Sequence, residues 1–521
     1  MLKRETMTAA LEDRSIVWDF IIIGGGATGV GVAVDAASRG YRTLLLEAHD
    51  FGKGTSSRST KLVHGGVRYL QQGNIALVLD ALKERGLMRQ NAPHLVHDLA
   101  FIVPNYTWWE APFYGIGLRL YDFLAGKHGF GPSRNLSAEK TLERIPTIET
   151  RGLRGGVIYY DGQFDDSRLL INLAQTAEEQ GAVLANYVEV TGLIKEDDIV
   201  GGVVAVDRET SREHEIRGRV VVSATGVFTD SIRRMDTPDV PGIISPSQGV
   251  HITLDRSFLP GDTAVLVPHT DDGRVLFAIP WHNHTLVGTT DTPISQVDLE
   301  PRALPDEIDF LLTHAARYLS KDPTEGDVLS LFTGIRPLVA VQGESKTASL
   351  SRDHTLHISG SGLVTITGGK WTTYRKMAED TVDQAAIVAQ LESAPCATRN
   401  LRIHGYCEET QANNGLTVYG ADAASVKDLC LASPGWDEPL HPRLNIRAGE
   451  VAWAVRKEAA RTVEDFLARR SRALFLNARA AVDMAPRVAA LMAAELGRNE
   501  QWQEEQVKSV SELAAKYYMM P

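Results

Sequence analysis

One cluster near the start of the chain, Gly24-Gly25-Gly26-Ala27-Thr28-Gly29, limits what it can fold into more than any other feature. It follows a short apolar, β-branched run, IVWDFIII (16–23), and opens a stretch of small residues (27–39) that Gly40 closes. A second apolar run, YRTLLLE (41–47), comes next. Strand, glycine turn, helix and strand in about 30 residues make a βαβ unit. Gly24, Gly26 and Gly29 satisfy the G-x-G-x-x-G spacing. The first permits the tight turn, the second lets backbone approach a pyrophosphate, and the third lets the helix pack close to the strand. The helix start then offers unpaired N–H groups to phosphate. Glu47 ends the second strand, 47 − 29 = 18 residues beyond the last glycine. A carboxylate about 20 residues on accepts the ribose hydroxyls and disfavours a 2′-phosphate. No Lys-Ser/Thr follows the turn, so it is not a P-loop.

The turn by itself binds an adenine dinucleotide without telling FAD from NAD. Its setting favours FAD. The βαβ unit opens a long chain, a Ser/Thr/Gly-rich loop (55–66) follows, and a late strand, RVVVSA (219–224), runs into Thr225-Gly226. An NAD domain is usually contiguous, whereas this layout suits flavoproteins whose FAD domain is assembled from distant segments.

Bulk properties narrow the partners. A chain of 521 residues exceeds one ordinary core. The hydrophobic fraction of 43% and charged fraction of 23% exclude wholesale disorder. A net charge of −12 argues against nucleic acid. The three cysteines, Cys396, Cys407 and Cys430, form no CxxC pair, which leaves no cluster or disulfide framework and fits a reducing compartment. No metal is expected, since His282 and His284 in WHNH lack an evident third ligand. The first 15 residues have no signal-peptide core, and no run nears the roughly 18 apolar residues of a membrane span. The expectation is a soluble or peripheral protein.

Beyond about residue 400 the pattern turns helical. Val451, Val455, Ala459, Val463 and Leu467 recur every four residues, which predicts helix over 449–480, and 486–517 reads the same way. The basic run Arg469-Arg470-Ser471-Arg472 reads as a solvated helix face, or as a contact with lipid or another subunit.

More specific is TSSRSTKLVHGGVRYL (55–70), which resembles the FAD-dependent glycerol-3-phosphate dehydrogenases, members of the D-amino-acid-oxidase-like flavoproteins. Further matches are ATGVFTDSI (224–232), GTTDTP (288–293), TGIRPL (333–338), LSRDHTL (350–356), GGKWTTYRKMAED (368–380) and EDFLARRSRALFLNARAA (464–481). They occur in family order over roughly 16–485. The resemblance implies an α/β (mixed α+β) fold with a Rossmann-like FAD-binding domain (16–70, 151–240, 351–395). An interleaved antiparallel-sheet substrate domain (71–150, 241–350) and a C-terminal helical domain (400–521) complete it.

It also implies oxidation of sn-glycerol 3-phosphate to dihydroxyacetone phosphate, by hydride transfer from C2 to flavin N5. Electrons would pass to a membrane quinone from a cytoplasmic protein lying peripherally on the inner face of the cell membrane, with a homodimer as a family possibility. The residue chemistry points the same way. A phosphate dianion beside a secondary alcohol needs cations and a proton acceptor, and arginine offers a planar fork to phosphate. By resemblance Arg68, Tyr69, Arg336, Arg352 and Lys370 surround substrate and flavin. His251 is the candidate base, as histidine accepts protons near neutrality, and His64 lies near flavin or pyrophosphate. Thr55, Ser56, Ser57 and Lys61 are expected to bond the cofactor. Gly226 and Gly369 let backbone pass close to it. Thr372 and Thr373 are candidate caps of the helix that follows Lys370, and Thr372 is expected to bind the cofactor, with that helix N-terminus aimed at the flavin O2 edge where negative charge develops on reduction.

The stretch NYTWWEAPFYGIGLRLYDFL (105–124) is dense in aromatics and reads either as a bilayer contact near the quinone or as packing within the substrate domain. Three other activities stay open at this point. They are a glycerol-3-phosphate oxidase reducing O2 to H2O2, a non-catalytic flavin-binding scaffold, and an amino-acid oxidase on the same fold. A subunit feeding an iron–sulfur partner is disfavoured by the scarce cysteines.

Overall fold

The computed structural model describes residues 2–66, 74–268, 270–271, 273–340, 354–408 and 415–519. Two sheets carry the architecture. In the first, the strands Thr43–Leu46, Val17–Ile23, Glu213–Ser223 and Val364–Gly368 run parallel in that spatial order, with Val183–Ala185 beyond the first of them. Every residue from Trp18 to Ile23 is buried, as a strand covered on both faces requires. The helices Ala27–Ser38 and Tyr374–Val388 pack against each other beside this sheet. The sheet therefore draws strands from three separate stretches of chain, and their C-terminal ends converge on the glycine turn.

The second sheet is mainly antiparallel. Its longest ladder pairs Ile244–Asp255 with Ser330–Val339 in unbroken register from Ile244↔Val339 to Thr253↔Ser330. Val96–Asn105 pairs with Gly155–Phe164 across the same sheet. One apolar core joins this sheet to the C-terminal helices, bringing Phe101, Tyr159 and Phe332 together with Phe466, Phe475, Met484 and Val488. A separate core lies within the parallel-sheet domain.

The C-terminal domain departs from the single helix expected over 449–480. The helix Ala448–Glu458 stops at Ala459, which adopts a left-handed conformation (φ 53°). The Asp465 carboxylate then accepts the N–H groups of Arg461 (2.8 Å) and Thr462 (3.0 Å), starting a new turn. That turn, Asp465–Arg470, is π-helical. The helices Ala473–Leu476, Ala478–Leu496 and Glu500–Ala514 follow, the last two separated by Gly497 (φ 64°) and the cap residue Asn499. The four-residue spacing was real, but a side-chain cap interrupts it. The basic run is corrected too: Arg469, Arg470 and Arg472 are no solvated face, being buried to within 2% of full coverage.

Candidate active site

A cleft of about 620 Å³ lies where the ends of the parallel strands meet the antiparallel sheet. This is where open α/β sheets bind ligands. Gly24, Gly26, Glu47 and Gly226 line one side, Gly249, His251, Gly334 and Arg336 the other, and Gly369, Lys370 and Thr372 one end. His64, Thr55 and Ser56 also face it. Ser57 and Lys61 do not, and Arg68, Tyr69 and Arg352 lie outside the described residues.

At the dinucleotide end, Gly24 holds φ 110°, and a Cβ there would sit 2.7 Å from the Ala224 carbonyl oxygen. A Cβ at Gly29 would sit 1.9 Å from the Gly24 oxygen. Both glycines are thus required by backbone-to-backbone packing. Glu47 accepts the N–H groups of Gly25 (2.6 Å) and His49 (2.8 Å), which fixes its carboxylate at the cleft edge. Burial pushes its carboxyl up, and the two N–H donors oppose that shift. Gly226 holds φ 56° with open space where a side chain would point. Bare backbone, open volume and a fixed carboxylate beside a helix start fit a dinucleotide such as FAD.

The loop at 55–57 is stitched in place. Ser56 Oγ accepts the Ala27 N–H (2.9 Å), Thr55 Oγ1 donates to the Ile335 carbonyl (2.6 Å), and Trp371 Nε1 donates to the Ser56 carbonyl (2.9 Å). The two hydroxyls expected to serve a cofactor therefore also tie this loop to the glycine turn and to the antiparallel sheet. Ser57 and Lys61 lie behind that wall. Lys61 Nζ donates to Asp166 (2.6 Å) and the Ser57 carbonyl (2.7 Å), ringed by Trp281, Phe332 and Phe475 at 5.0–5.6 Å. Burial, with Arg472 nearby, pulls its ammonium down to about 7. Thr373 makes no side-chain cap; its hydroxyl donates instead to the Lys370 carbonyl (3.2 Å).

The opposite wall is set by strand register. His251 pairs with Phe332, Gly249 with Gly334 and Ser247 with Arg336, so these alternate residues share one face. The His251 ring stacks on Phe332 (4.9 Å between centroids), and its Nε2 lies 2.9 Å from Thr60 Oγ1. Nδ1 has no partner among the described residues. Gly288, opposite His251 in the neighbouring strand, leaves room for that ring: a Cβ there would meet His251 Cδ2 at 2.1 Å. Burial, then Lys61 and Arg336, hold the imidazole well below its ordinary range, so it is neutral at working pH. Arg336 lies across Gly249, where a Cβ would come within 2.5 Å of Nη2. It donates to Asp291 (3.0 Å) and the Thr290 carbonyl (2.9 Å).

Asp291, Thr60 and Arg58 were not singled out from sequence, although each lies inside a motif that was. Asp291 holds Arg336, Thr60 holds His251, and Arg58 lines the cleft. His282 is structural, with Nε2 2.8 Å from Asp165.

A parallel sheet fed by separate segments, a glycine turn and a cleft shared with an antiparallel sheet define an FAD-dependent oxidoreductase, and residues 19–375 match the family described as FAD dependent oxidoreductase. Residues 354–506 match the C-terminal domain of alpha-glycerophosphate oxidase. The mitochondrial glycerol-3-phosphate dehydrogenase of Homo sapiens is 40% identical over 557 aligned positions, covering 99% of this chain and 75% of its own. A probable counterpart in Caenorhabditis elegans is 42% identical over 94% of this chain and 72% of its own. The solved glycerol-3-phosphate dehydrogenase from Bacillus halodurans, complexed with FAD, is similar at TM-score 0.80 and 31% identity, over 99% of this chain and 97% of that one. The chain belongs to the family of FAD-dependent glycerol-3-phosphate dehydrogenases.

Proposed function

We propose that the cleft oxidises sn-glycerol 3-phosphate to dihydroxyacetone phosphate and that the electrons leave to a membrane quinone. The observation that carries the reading is the strip of cleft wall where the Arg336 guanidinium, lying over Gly249, and the neutral His251 imidazole share one face of two paired strands. A cation for the phosphate and a proton acceptor for the alcohol stand on one face of the cleft wall. FAD, held by the glycine turn, Glu47 and the backbone at Gly226 and Gly369, would supply the two-electron acceptor that this oxidation needs. His251 receives the hydroxyl proton as the C2–H bond breaks; its neutral ring has the lone pair for this, although the burial and cations that keep it neutral also weaken it as a base. Thr60 orients the ring through Nε2. Lys370, at the cleft end, adds positive charge near substrate and flavin, and with Arg68, Tyr69 and Arg352 completes the proposed substrate set.

Anaerobic mixing with glycerol 3-phosphate is expected to bleach the flavin absorbance, whereas D- and L-amino acids leave it unchanged. Absence of bleaching by glycerol 3-phosphate refutes the assignment. A second reading, an oxidase reducing O2 to H2O2, draws on the oxidase name of the C-terminal family match. An oxygen electrode separates the two, because a dehydrogenase reduces dye much faster than it makes peroxide.

Peripheral membrane contact is proposed through the helix Glu110–Ala125. Its Leu118 and Tyr121 are buried, yet Phe113, Ile116, Leu120 and Phe123, spaced 3-4-3, form an exposed apolar stripe. Ile116 is 70% and Phe123 81% exposed, and Trp108 just before the helix is 77% exposed. Such a stripe with Trp at its edge suits a bilayer interface. The Tyr121 phenol accepts the Gly65 N–H (2.8 Å), beside His64 in the cleft wall, so the helix adjoins the site a quinone must reach. Among the described residues no helix is long and apolar enough to cross a membrane. A Trp108→Ser/Phe123→Ser variant is expected to lose most co-sedimentation with anionic lipid vesicles while keeping its flavin spectrum. Undiminished binding by a folded variant overturns the assignment of this helix.

A further inference from the structure

The C-terminal domain places its most buried cations on one short stretch of the FAD-binding domain, residues 50–61. Arg470 donates twice to Asp50 (2.8 and 2.9 Å), and Arg469 Nε donates to the same carboxylate (2.5 Å). Glu464 and Glu300 pair with Lys53 in the cleft wall. Arg472 donates to the Ser57 carbonyl (3.0 Å) and to Asp166 (3.0 Å). Arg58 bonds the carbonyls of Lys53 (2.7 Å), Gly54 (3.2 Å) and Leu299 (3.1 Å). It is held in turn by Glu300 (2.7 Å) and by the Tyr517 phenol (3.1 Å), which itself donates to Glu300 (2.8 Å).

Burying this many guanidinium groups is costly, and apolar contact would join two domains as well. Their convergence on a single loop therefore calls for a positional reason. A trans peptide holds its C=O and N–H on opposite sides. Capturing the carbonyls of Lys53 and Gly54 thus turns the N–H groups of Gly54 and Thr55 away from Arg58. Gly54 and Thr55 both line the cleft. Irregular π-turns of the kind that carries Arg469 and Arg470 are frequent at functional sites.

We propose that the C-terminal domain is a positioning element for FAD: the π-turn Asp465–Arg470, Arg472 and Tyr517 fix the conformation of residues 50–61, so that this loop presents backbone donors to the cofactor. These residues act through the loop and touch neither substrate nor reacting atoms. The proposal rests on FAD occupying the cleft and not on the choice of substrate, so it stands or falls separately from the glycerol 3-phosphate assignment.

The test compares two buried tyrosines of the same domain. Tyr517→Phe removes the phenol between Arg58 and Glu300, and Tyr419→Phe removes one that donates to Glu450 (2.8 Å) with no contact to the loop. Tyr517→Phe is expected to weaken FAD binding about tenfold, read from fluorescence of released flavin, and to alter the visible circular dichroism of the bound flavin. Arg472→Lys keeps the charge, loses the planar guanidinium whose Nη2 bonds both Ser57 and Asp166, and shifts both readouts in the same direction. Tyr419→Phe lowers the melting temperature but leaves FAD affinity within about twofold of the parent. The proposal is overturned if Tyr517→Phe and Arg472→Lys both bind FAD within that twofold range with an unchanged flavin signal, or if Tyr419→Phe loosens FAD equally.

Discussion

Arg336→Ala is expected to lower kcat/KM for glycerol 3-phosphate by roughly a thousandfold, the worth of two charge-assisted hydrogen bonds at about 2 kcal/mol each. Asp291 and the Thr290 carbonyl hold the guanidinium over Gly249, on the cleft face shared with His251. Its geometry is therefore fixed before a ligand arrives, and little ordering entropy is lost on binding. Arg336→Lys keeps a positive charge but loses the planar fork, so it is expected to recover only part of the activity. Steady-state kinetics on variants with unaltered flavin spectra provide the measurement. Competitive inhibition by inorganic phosphate should weaken in parallel, because the same cation binds both. An Arg336→Ala enzyme within about tenfold of the parent in kcat/KM would place the phosphate elsewhere.

The parts of this protein that sequence made legible are those whose physics is local. A strand, three glycines at fixed spacing, a helix and a terminal Glu47 are neighbours in sequence and in space. The Gly24 and Gly29 positions are dictated by contacts with Ala224 and with each other's backbone. The motif GTTDTP was visible, but its meaning was not. Gly288 makes room for the His251 ring, Thr290 accepts the Val250 N–H (2.9 Å), and Asp291 grips Arg336, all through pairings with distant strands. His251 was read as a base titrating near neutrality; burial beside Lys61 and Arg336 holds it neutral well below that range. The four-residue apolar spacing beyond 449 missed the break at Ala459 because the capping carboxylate, Asp465, is itself inside the periodic stretch. The Arg469–Arg472 run looked like a solvated face because its partners, Asp50 and Asp166, lie some 300–420 residues earlier.

That last pairing yields the largest expected effect on stability. Asp50→Ala should destabilise the fold by about 3–5 kcal/mol, the usual cost of stranding a buried charge by removing its partner. Asp50 is fully buried and accepts three N–H donors from two arginines that are themselves buried. Arg469 keeps Glu464 (2.8 Å) and Asp465 (2.8 Å), but Arg470 is left with the Glu458 carbonyl (2.7 Å) and a more distant Glu458 carboxylate. A second change, Arg470→Met, removes the stranded charge and should restore more than half of the loss, since replacing both members of a buried pair by apolar groups is often close to neutral. The acid limb gives an independent check. Burial pushes the Asp50 carboxyl up, but Arg470 and Arg469 overcome this and hold it below its ordinary value. Its folded-state pKa is thus depressed, so its stabilisation is present above the unfolded value near 4 and is lost as pH falls through the folded one. Unfolding rates in urea, compared at pH 7 and below pH 4, should show the gap between parent and Asp50→Ala narrowing on acidification. A gap under about 1 kcal/mol at pH 7, or one that widens in acid, would mean that Asp50 does not anchor the two arginines.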